Sequence, residues 1–393
     1  MTVSRRALLR AGAASAASIA AWRLQGALAQ DEDPTPDTPP DVELPPCDNA
    51  EDFDKGGRVY VDDDEVTSYN EVYDNPPLLG RIEIGTNLYD EPGYPFGEKL
   101  GRANYGEVLP IYGVTHAPAP AALPHNDVWY ETDRGYAHSS FVVPVTEQYN
   151  PVHAVYGDGF WGEITVPTSW QHRKPTLRSR RYYDLAWGAV FRVIDRVDED
   201  CGRAWYRLLD DANPTHKWWV QAKHVRRIPE SEFAPISPEV PPEAKRIEVL
   251  IGSQEVVCYE HDVPVFSTRI ASGTTFFGQN GEVYDFFTPW GEHWVQRKTP
   301  SRHMSGGEDI NDSFDLPGVP WCVFFTMSGA AIHGTYWHND YGHPRSHGCV
   351  NVTPDAAKWI YRWVTPAVPY DTLYHFTDRE ERDRATLIDV TRG

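Results

Sequence analysis

The stretch His333–Asn351, HGTYWHNDYGHPRSHGCVN, places the strongest condition on how this 393-residue chain can fold. Cys349 lies sixteen positions after His333 and directly follows His347-Gly348. A thiol attacks efficiently only as thiolate, so it needs a base or a cation beside it. His333 can be that base only in a fold that turns the chain back between the two. His347, Gly348 and Cys349 offer consecutive backbone N–H groups, and Gly348 permits a turn that aims them at one point. Read as chemistry, this is an acyl-transfer site with Cys349 as nucleophile, His333 as base and an oxyanion hole at His347, Gly348 and Cys349.

Zinc is the rival reading, because His333, His338, His343 and His347 crowd around a thiol. Their spacing fits no finger, and the chain has no Cys-x2-Cys or His-Glu-x2-His pair. No metal and no other cofactor is therefore expected. His338 and His343 read as loop residues at a cleft rim.

His333 followed by Ser346-His347-Gly348-Cys349-Val350-Asn351 resembles the signature of the L,D-transpeptidase (YkuD-type) catalytic domain. The likeness runs from Lys245 to His375. Ser267-Thr268-Arg269-Ile270-Ala271-Ser272-Gly273 resembles the family's STxxSxG text, and Thr288-Pro289-Trp290-Gly291 its TPxG turn. Lys298 and Met304 fall where the family often has those residues. The resemblance implies that the carbonyl of Gly334, where other members carry Ser, orients the base. It also implies a cysteine-dependent transfer between peptidoglycan stem peptides through a thioester. If water replaces the acceptor amine, the same site is an L,D-carboxypeptidase. A non-catalytic wall-binding protein is the alternative of a different class. NlpC/P60-type hydrolases place Cys before His, and sortases lack the SHGC block. Ser346, Asn351, Tyr336 and Trp337 are the candidate substrate contacts. The first two read more as braces of the turn than as substrate contacts, and the aromatics are equally suited to packing.

The expected fold is mainly β: two small barrels, then a YkuD-type β-sandwich catalytic domain with one or two short helices. The 14 Trp, 21 Tyr, 30 Gly and 33 Pro, with little helical periodicity, favour such modules. Residues 1–29 read as an export signal, with Arg5-Arg6, an apolar run and Ala27-Leu28-Ala29. It resembles the twin-arginine type, although Leu8 stands where Phe is usual, which leaves the Sec route open. Residues 30–79 are an acidic Pro-rich linker and a segment of uncertain structure. Residues 80–145 and 146–228 repeat a pattern of strands that resembles bacterial SH3-like modules. The functional reading of these modules is wall binding, and the bland one is a rigid spacer. A Pro-rich linker at 229–243 precedes the catalytic domain at 244–378, and 379–393 reads as a peripheral tail. After Cys349, Thr353-Pro354-Asp355 reads as a helix start.

The formal charge of −21 becomes −25 once residues 1–29 and their four arginines are removed, which argues against nucleic acid and anionic membrane as partners. No later stretch is long and apolar enough to span a membrane. An exported protein of the cell wall or extracytoplasmic space is expected, with peptidoglycan stem peptides as its partners. Cys349 must be free. Cys47, Cys201, Cys258 and Cys322 either form two disulfides, in one of three pairings, or are small buried apolar residues.

Overall fold

The computed structural model describes residues 78–307 and 313–392. The expected export signal, the acidic spacer and Cys47 lie outside them. The chain is mainly β, with two short α-helices among the described residues, Pro354–Trp363 (α1) and Arg379–Arg382 (α2).

Residues 79–145 form a three-stranded and a five-stranded sheet around Ile82, Leu88, Leu109, Tyr130 and Val142. Residues 160–227 form one seven-stranded antiparallel sheet, with Phe160, Ile164, Phe191, Val193 and Tyr206 in a separate core. From Lys245 onward two five-stranded sheets share a third core. The first runs in the order Val263–Arg269, Glu255–Glu260, Lys245–Leu250, Leu387–Thr391, Gly291–Trp294. The second runs Val350–Val352, Ala331–Gly334, Phe314–Phe324, Arg297–Gly306, His375–Phe376. Lys245–Leu250 alternates buried and half-buried residues, as a strand with one face on a core should. Pro317 to Phe324 is buried throughout, which is why it reads as a continuous apolar run.

Three expectations need correction. Residues 379–393 are not a peripheral tail: Leu387–Thr391 pairs in parallel with Lys245–Leu250 and antiparallel with Gly291–Trp294. Ile388 and Val390 enter the core, so this strand completes the sheet rather than trailing from it. Residues 229–243 are not a free linker either. Phe233 is buried against Trp161, Trp321, Tyr361 and Tyr370, and so joins the seven-stranded sheet to the third core. A two-disulfide scheme also fails, because Cys201 is disulfide-bonded while Cys258 and Cys322 are free and buried.

Helix α1 begins as its sequence predicts. The Thr353 hydroxyl accepts the Ala356 N–H at 3.3 Å, Pro354 opens the first turn and Asp355 favours the helix dipole. Its C-terminal carbonyls are met by two buried lysines. Lys245 Nζ donates to Trp363 O at 3.1 Å, and Lys298 Nζ to Val364 O at 3.2 Å and Pro366 O at 2.8 Å. Unmet carbonyls at a buried helix end are costly, and a cation there also suits the dipole. Burial holds the Lys298 ammonium down at about 7.

The second sheet is fastened to the seven-stranded sheet by His303. Its Nδ1 donates to the Asp210 carboxylate at 2.9 and 3.0 Å, and its Nε2 to Asp315 Oδ1 at 2.5 Å. Tyr183 donates to the other Asp315 oxygen at 2.6 Å, and Arg302 pairs with Asp211. Only an imidazolium donates from both nitrogens. Burial by itself would lower this pKa, but the two carboxylates outweigh it and raise it to about 9. A folded-state pKa above the unfolded value of roughly 6.5 stabilises the fold fully below that pH, and the contribution is lost as pH rises through about 9. The stability difference between wild type and His303→Ala is therefore expected to be on the order of 3 kcal/mol near pH 6 and to shrink by pH 9. Urea unfolding of both proteins across that range checks it.

Candidate active site

The strand Ala331–Gly334 carries His333, and the strand Val350–Val352 begins directly after Cys349. The two pair in parallel, with Ile332 opposite Val350 and His333 opposite Asn351. The far side of the Cys349 strand is held by residues 271–274. Ala271 and Asn351 exchange both backbone hydrogen bonds at 3.0 Å, Ser272 O accepts the N–H groups of Arg345 and Ser346, and Thr274 N–H donates to Ser346 O. The chain around Cys349 is thus fixed on both sides by backbone pairing.

His333 is buried, and its Nδ1–H donates to the Gly334 carbonyl at 3.0 Å. That bond leaves Nε2 as the basic nitrogen. Burial depresses the imidazole pKa to about 4, with the Gly334 carbonyl opposing the shift. A side chain at Gly334 has no room, since its Cβ would stand 2.7 Å from Pro320 Cγ and 3.0 Å from the Pro354 backbone. The glycine is therefore demanded by close packing between the base strand and the start of α1.

Cys349 is half-buried. Its thiol is directed at Gly329 O, 3.8 Å away, rather than at His333. Burial pushes the thiol up to about 11, against smaller opposing effects from the Ala331 backbone and the Arg297 charge. Neutral thiol and neutral imidazole is consequently the resting state. Trp337 links the two groups: its ring centroid is 5.8 Å from that of His333, and it packs in the same apolar cluster as Cys349 and Cys322.

The turn before Cys349 is braced internally. Gly348 has a φ of +106°, which an L side chain rarely adopts. Ser346 Oγ donates to Cys349 O at 2.5 Å and accepts the Gly348 N–H at 3.2 Å. One of the expected oxyanion donors is thus engaged in the resting site. The His347 ring lies against Phe276, Phe286 and Phe314, at 4.1, 4.8 and 4.7 Å between centroids.

Three of the four candidate substrate contacts are buried. Ser346 and Asn351 are buried and serve the turn and the strand. Tyr336 is also buried, packed into the core of the seven-stranded sheet with its hydroxyl donating to Pro317 O at 2.6 Å. Trp337 alone keeps a partly exposed position beside the base. His338 does not line a rim: it is buried, with Nε2 2.9 Å from the Asn351 amide. The histidines diverge, since His343 stacks on His125 while His347 stacks on Phe276. Sequence reading passed over Phe276, Phe286 and Phe314. The aromatic density of Thr275–Phe287 was the available signal, although exposed Phe277 and Phe287 in the same run blur it.

Gly334→Ala should lower stability by about 1–3 kcal/mol through overpacking, and slow turnover by displacing the orienting carbonyl. Urea midpoints and steady-state rates measured together test this. Wild-type behaviour on both counts would refute the packing argument.

Residues 244–371 match the L,D-transpeptidase catalytic domain, YkuD. Over 186 residues the chain is 27% identical to L,D-transpeptidase 1 of Mycobacterium tuberculosis, covering 42% of this chain and 70% of that protein. Among solved structures, an L,D-transpeptidase from Mycobacterium smegmatis shares 15% identity at a TM-score of 0.28, over 48% of this chain and 90% of that one. A crystal structure of Enterococcus faecium L,D-transpeptidase shares 21% identity at a TM-score of 0.27, over 38% of this chain. The chain spans only half the length of that E. faecium structure, 50% of it. The matched span takes in His333, Gly334 and the whole Ser346–Asn351 block.

Proposed function

We propose that the protein is a peptidoglycan L,D-transpeptidase that forms crosslinks through a thioester on Cys349. The observation that carries this reading is the placement of His333, its Nδ1 fixed on the Gly334 carbonyl, on the strand beside the one that Cys349 opens. The match of residues 244–371 to the family's catalytic domain supports it.

Because both groups rest neutral, the proton leaves sulfur as the bond to carbon forms. Sγ attacks the carbonyl of the L-to-D peptide bond near the end of a tetrapeptide stem, and His333 Nε2 takes the thiol proton. The negative charge collects on the carbonyl oxygen. There the N–H of Cys349 meets it, joined by that of Gly348, whose 3.2 Å bond to a neutral hydroxyl yields to a charged acceptor. The C–N bond then breaks, His333 returns its proton to the departing amine of the D-residue, and a thioester remains. An amine of a second stem attacks the thioester and gives a proton to His333. The released thiolate recovers it, and a new peptide bond joins the stems.

The upstream units, residues 79–145 and 160–227, are read as SH3-like modules that bind or present the wall. The first exposes Tyr94 and Phe96, side chains suited to such a surface. Residues 1–29 are read as a twin-arginine-type export signal, which places the mature protein outside the cytoplasm. The negative charge speaks against nucleic acid as a partner.

The test is incubation of the mature protein with tetrapeptide-stem muropeptides, wild type beside Cys349→Ala, with products identified by mass. A crosslinked dimer and free D-residue, both lost in the variant, are expected. Tripeptide without dimer would recast the site as an L,D-carboxypeptidase. No acylation of the wild type would leave a wall-binding protein. The acid limb of kcat/KM reports the base in the free enzyme. His333 works only when neutral, so activity should hold down to about pH 5 and fall by half near 4, not near the roughly 6.5 of an ordinary histidine.

A further inference from the structure

The segment from Thr335 to Arg345 joins the base strand to the Cys349 turn, and among the described residues it contains no strand or helix. Its centre is instead tied to the first upstream unit. The Asp340 carboxylate, buried with 3% of its side chain exposed, accepts from His125 Nε2 at 2.7 Å and Ser140 Oγ at 2.8 Å. Arg345 supplies a third donor at 3.1 Å from within the segment. The His125 ring stacks on His343 at 4.9 Å and 11°, and Arg269 donates to the His125 carbonyl at 3.0 Å. Asn339 donates to the Tyr130 hydroxyl at 3.1 Å and to Ser139 O at 3.3 Å.

From Asp340 the path continues inward. The Asp340 N–H donates to His338 Nδ1 at 3.2 Å, so the proton of that buried ring sits on Nε2 and points at the Asn351 amide 2.9 Å away. The atom placed there is Asn351 Nδ2, with Oδ1 left without a partner, and turning the amide end for end lets Oδ1 accept the ring N–H. Asn351 stands opposite His333 in the register and two residues from Cys349. One polar chain thus runs from the upstream unit to the strand that holds the nucleophile.

We propose that the upstream unit of residues 79–145 positions the reactive centre, with His125, Ser140 and Asp340 acting through His338 and Asn351 on the placement of Cys349. These are positioning residues and touch no substrate. The inference rests on reading Cys349 as the nucleophile. It gives the upstream unit a role in the rate of the chemical step, whether or not that unit also binds wall. A buried carboxylate stripped of its donors reorganises, and a small displacement of a reacting atom costs rate more than affinity.

The experiment uses the full mature chain carrying His125→Ala with Ser140→Ala, the two single variants, His125→Gln, and His116→Ala as a control at an exposed ion pair of the same unit. Two quantities are read. One is the pH profile of iodoacetamide alkylation at the Cys349 peptide; the other is kcat and KM for release of the D-residue from a tetrapeptide stem. The double variant should lose on the order of tenfold to hundredfold in kcat, with KM changed little, and should shift the alkylation profile. His125→Gln, which keeps a donor toward Asp340, should recover most of the loss, and His116→Ala should match wild type. A cooperatively folded double variant with the wild-type profile and kcat would overturn the proposal. Should the double variant fail to fold, the contrast between His125→Ala and His125→Gln decides in the same way. Should wild type release no D-residue, the transpeptidase reading fails alone, because the alkylation profiles still show whether the upstream unit governs Cys349.

Discussion

Everything in the reactive centre depends on the parallel pairing of Ala331–Gly334 with Val350–Val352. Antiparallel neighbours can be joined by a two-residue turn, but parallel neighbours need a crossover of a dozen or more residues. The fifteen residues from Thr335 to Cys349 are that crossover. A shorter spacing would not allow the base and the nucleophile to arrive on adjacent strands running the same way. The pairing also explains why the helix follows at once. With Thr353 capping α1 immediately after the Cys349 strand, the chain leaves the sheet in a fixed direction, and Lys245 and Lys298 hold the far end of that helix.

Electrostatics follow from the same burial. The strand that brings His333 beside Cys349 also removes it from water, so the imidazole is held near 4 and the thiol near 11. A preformed thiolate–imidazolium pair would need this order reversed. On the reading of Cys349 as nucleophile, the charge on sulfur develops only as a bound carbonyl takes it up. This account makes the hydrogen bond from His333 to the Gly334 carbonyl decisive, because it directs the basic nitrogen away from Gly334. It also explains why a glycine follows the base here: Pro320 and Pro354 close in on it from both sides.

How much of this was legible in the sequence varied with the distance over which each residue finds its partners. Cys349, His347, Gly348 and Ser346 lie within four positions, and their chemistry could be read directly. His333 was singled out from four nearby histidines by its resemblance to the family signature, and the structure sets it on the strand beside the one that follows Cys349. Leu387–Thr391 was not, since five residues of mixed polarity become a core strand only through pairing with Lys245–Leu250, near the other end of the domain. Tyr336 and Trp337 looked alike in sequence. They sit in a bend with their rings 5.0 Å apart, and Tyr336 is the one drawn into the core of the preceding sheet, a partner far away in the chain that local sequence does not reveal. Phe233 was hidden in a Pro-rich run whose composition suggests a spacer, although one aromatic in such a run suffices to anchor it.

Asp340 was the least legible residue of all, because an acid in a polar loop carries no mark of burial. Its partners His125 and Ser140 stand 215 and 200 positions upstream. Yet the crossover creates the need for it. A connection with no helix or strand of its own cannot supply rigidity from local hydrogen bonding, so rigidity has to come from outside the segment. Two sources are present. The 271–274 strip fixes the end next to Cys349 by backbone pairing, and the upstream unit fixes the middle by enclosing a carboxylate. A charge buried this deeply is costly unless every donor is in place, which makes the contact intolerant of partial docking. The same logic holds at His303, where an imidazolium between two carboxylates fastens the second upstream sheet to the catalytic one. Both upstream units therefore meet the catalytic domain through charge-assisted contacts of defined geometry, and the Phe233 anchor adds apolar continuity between the cores. The two sheets from Lys245 onward are thus held in place by the units that precede them.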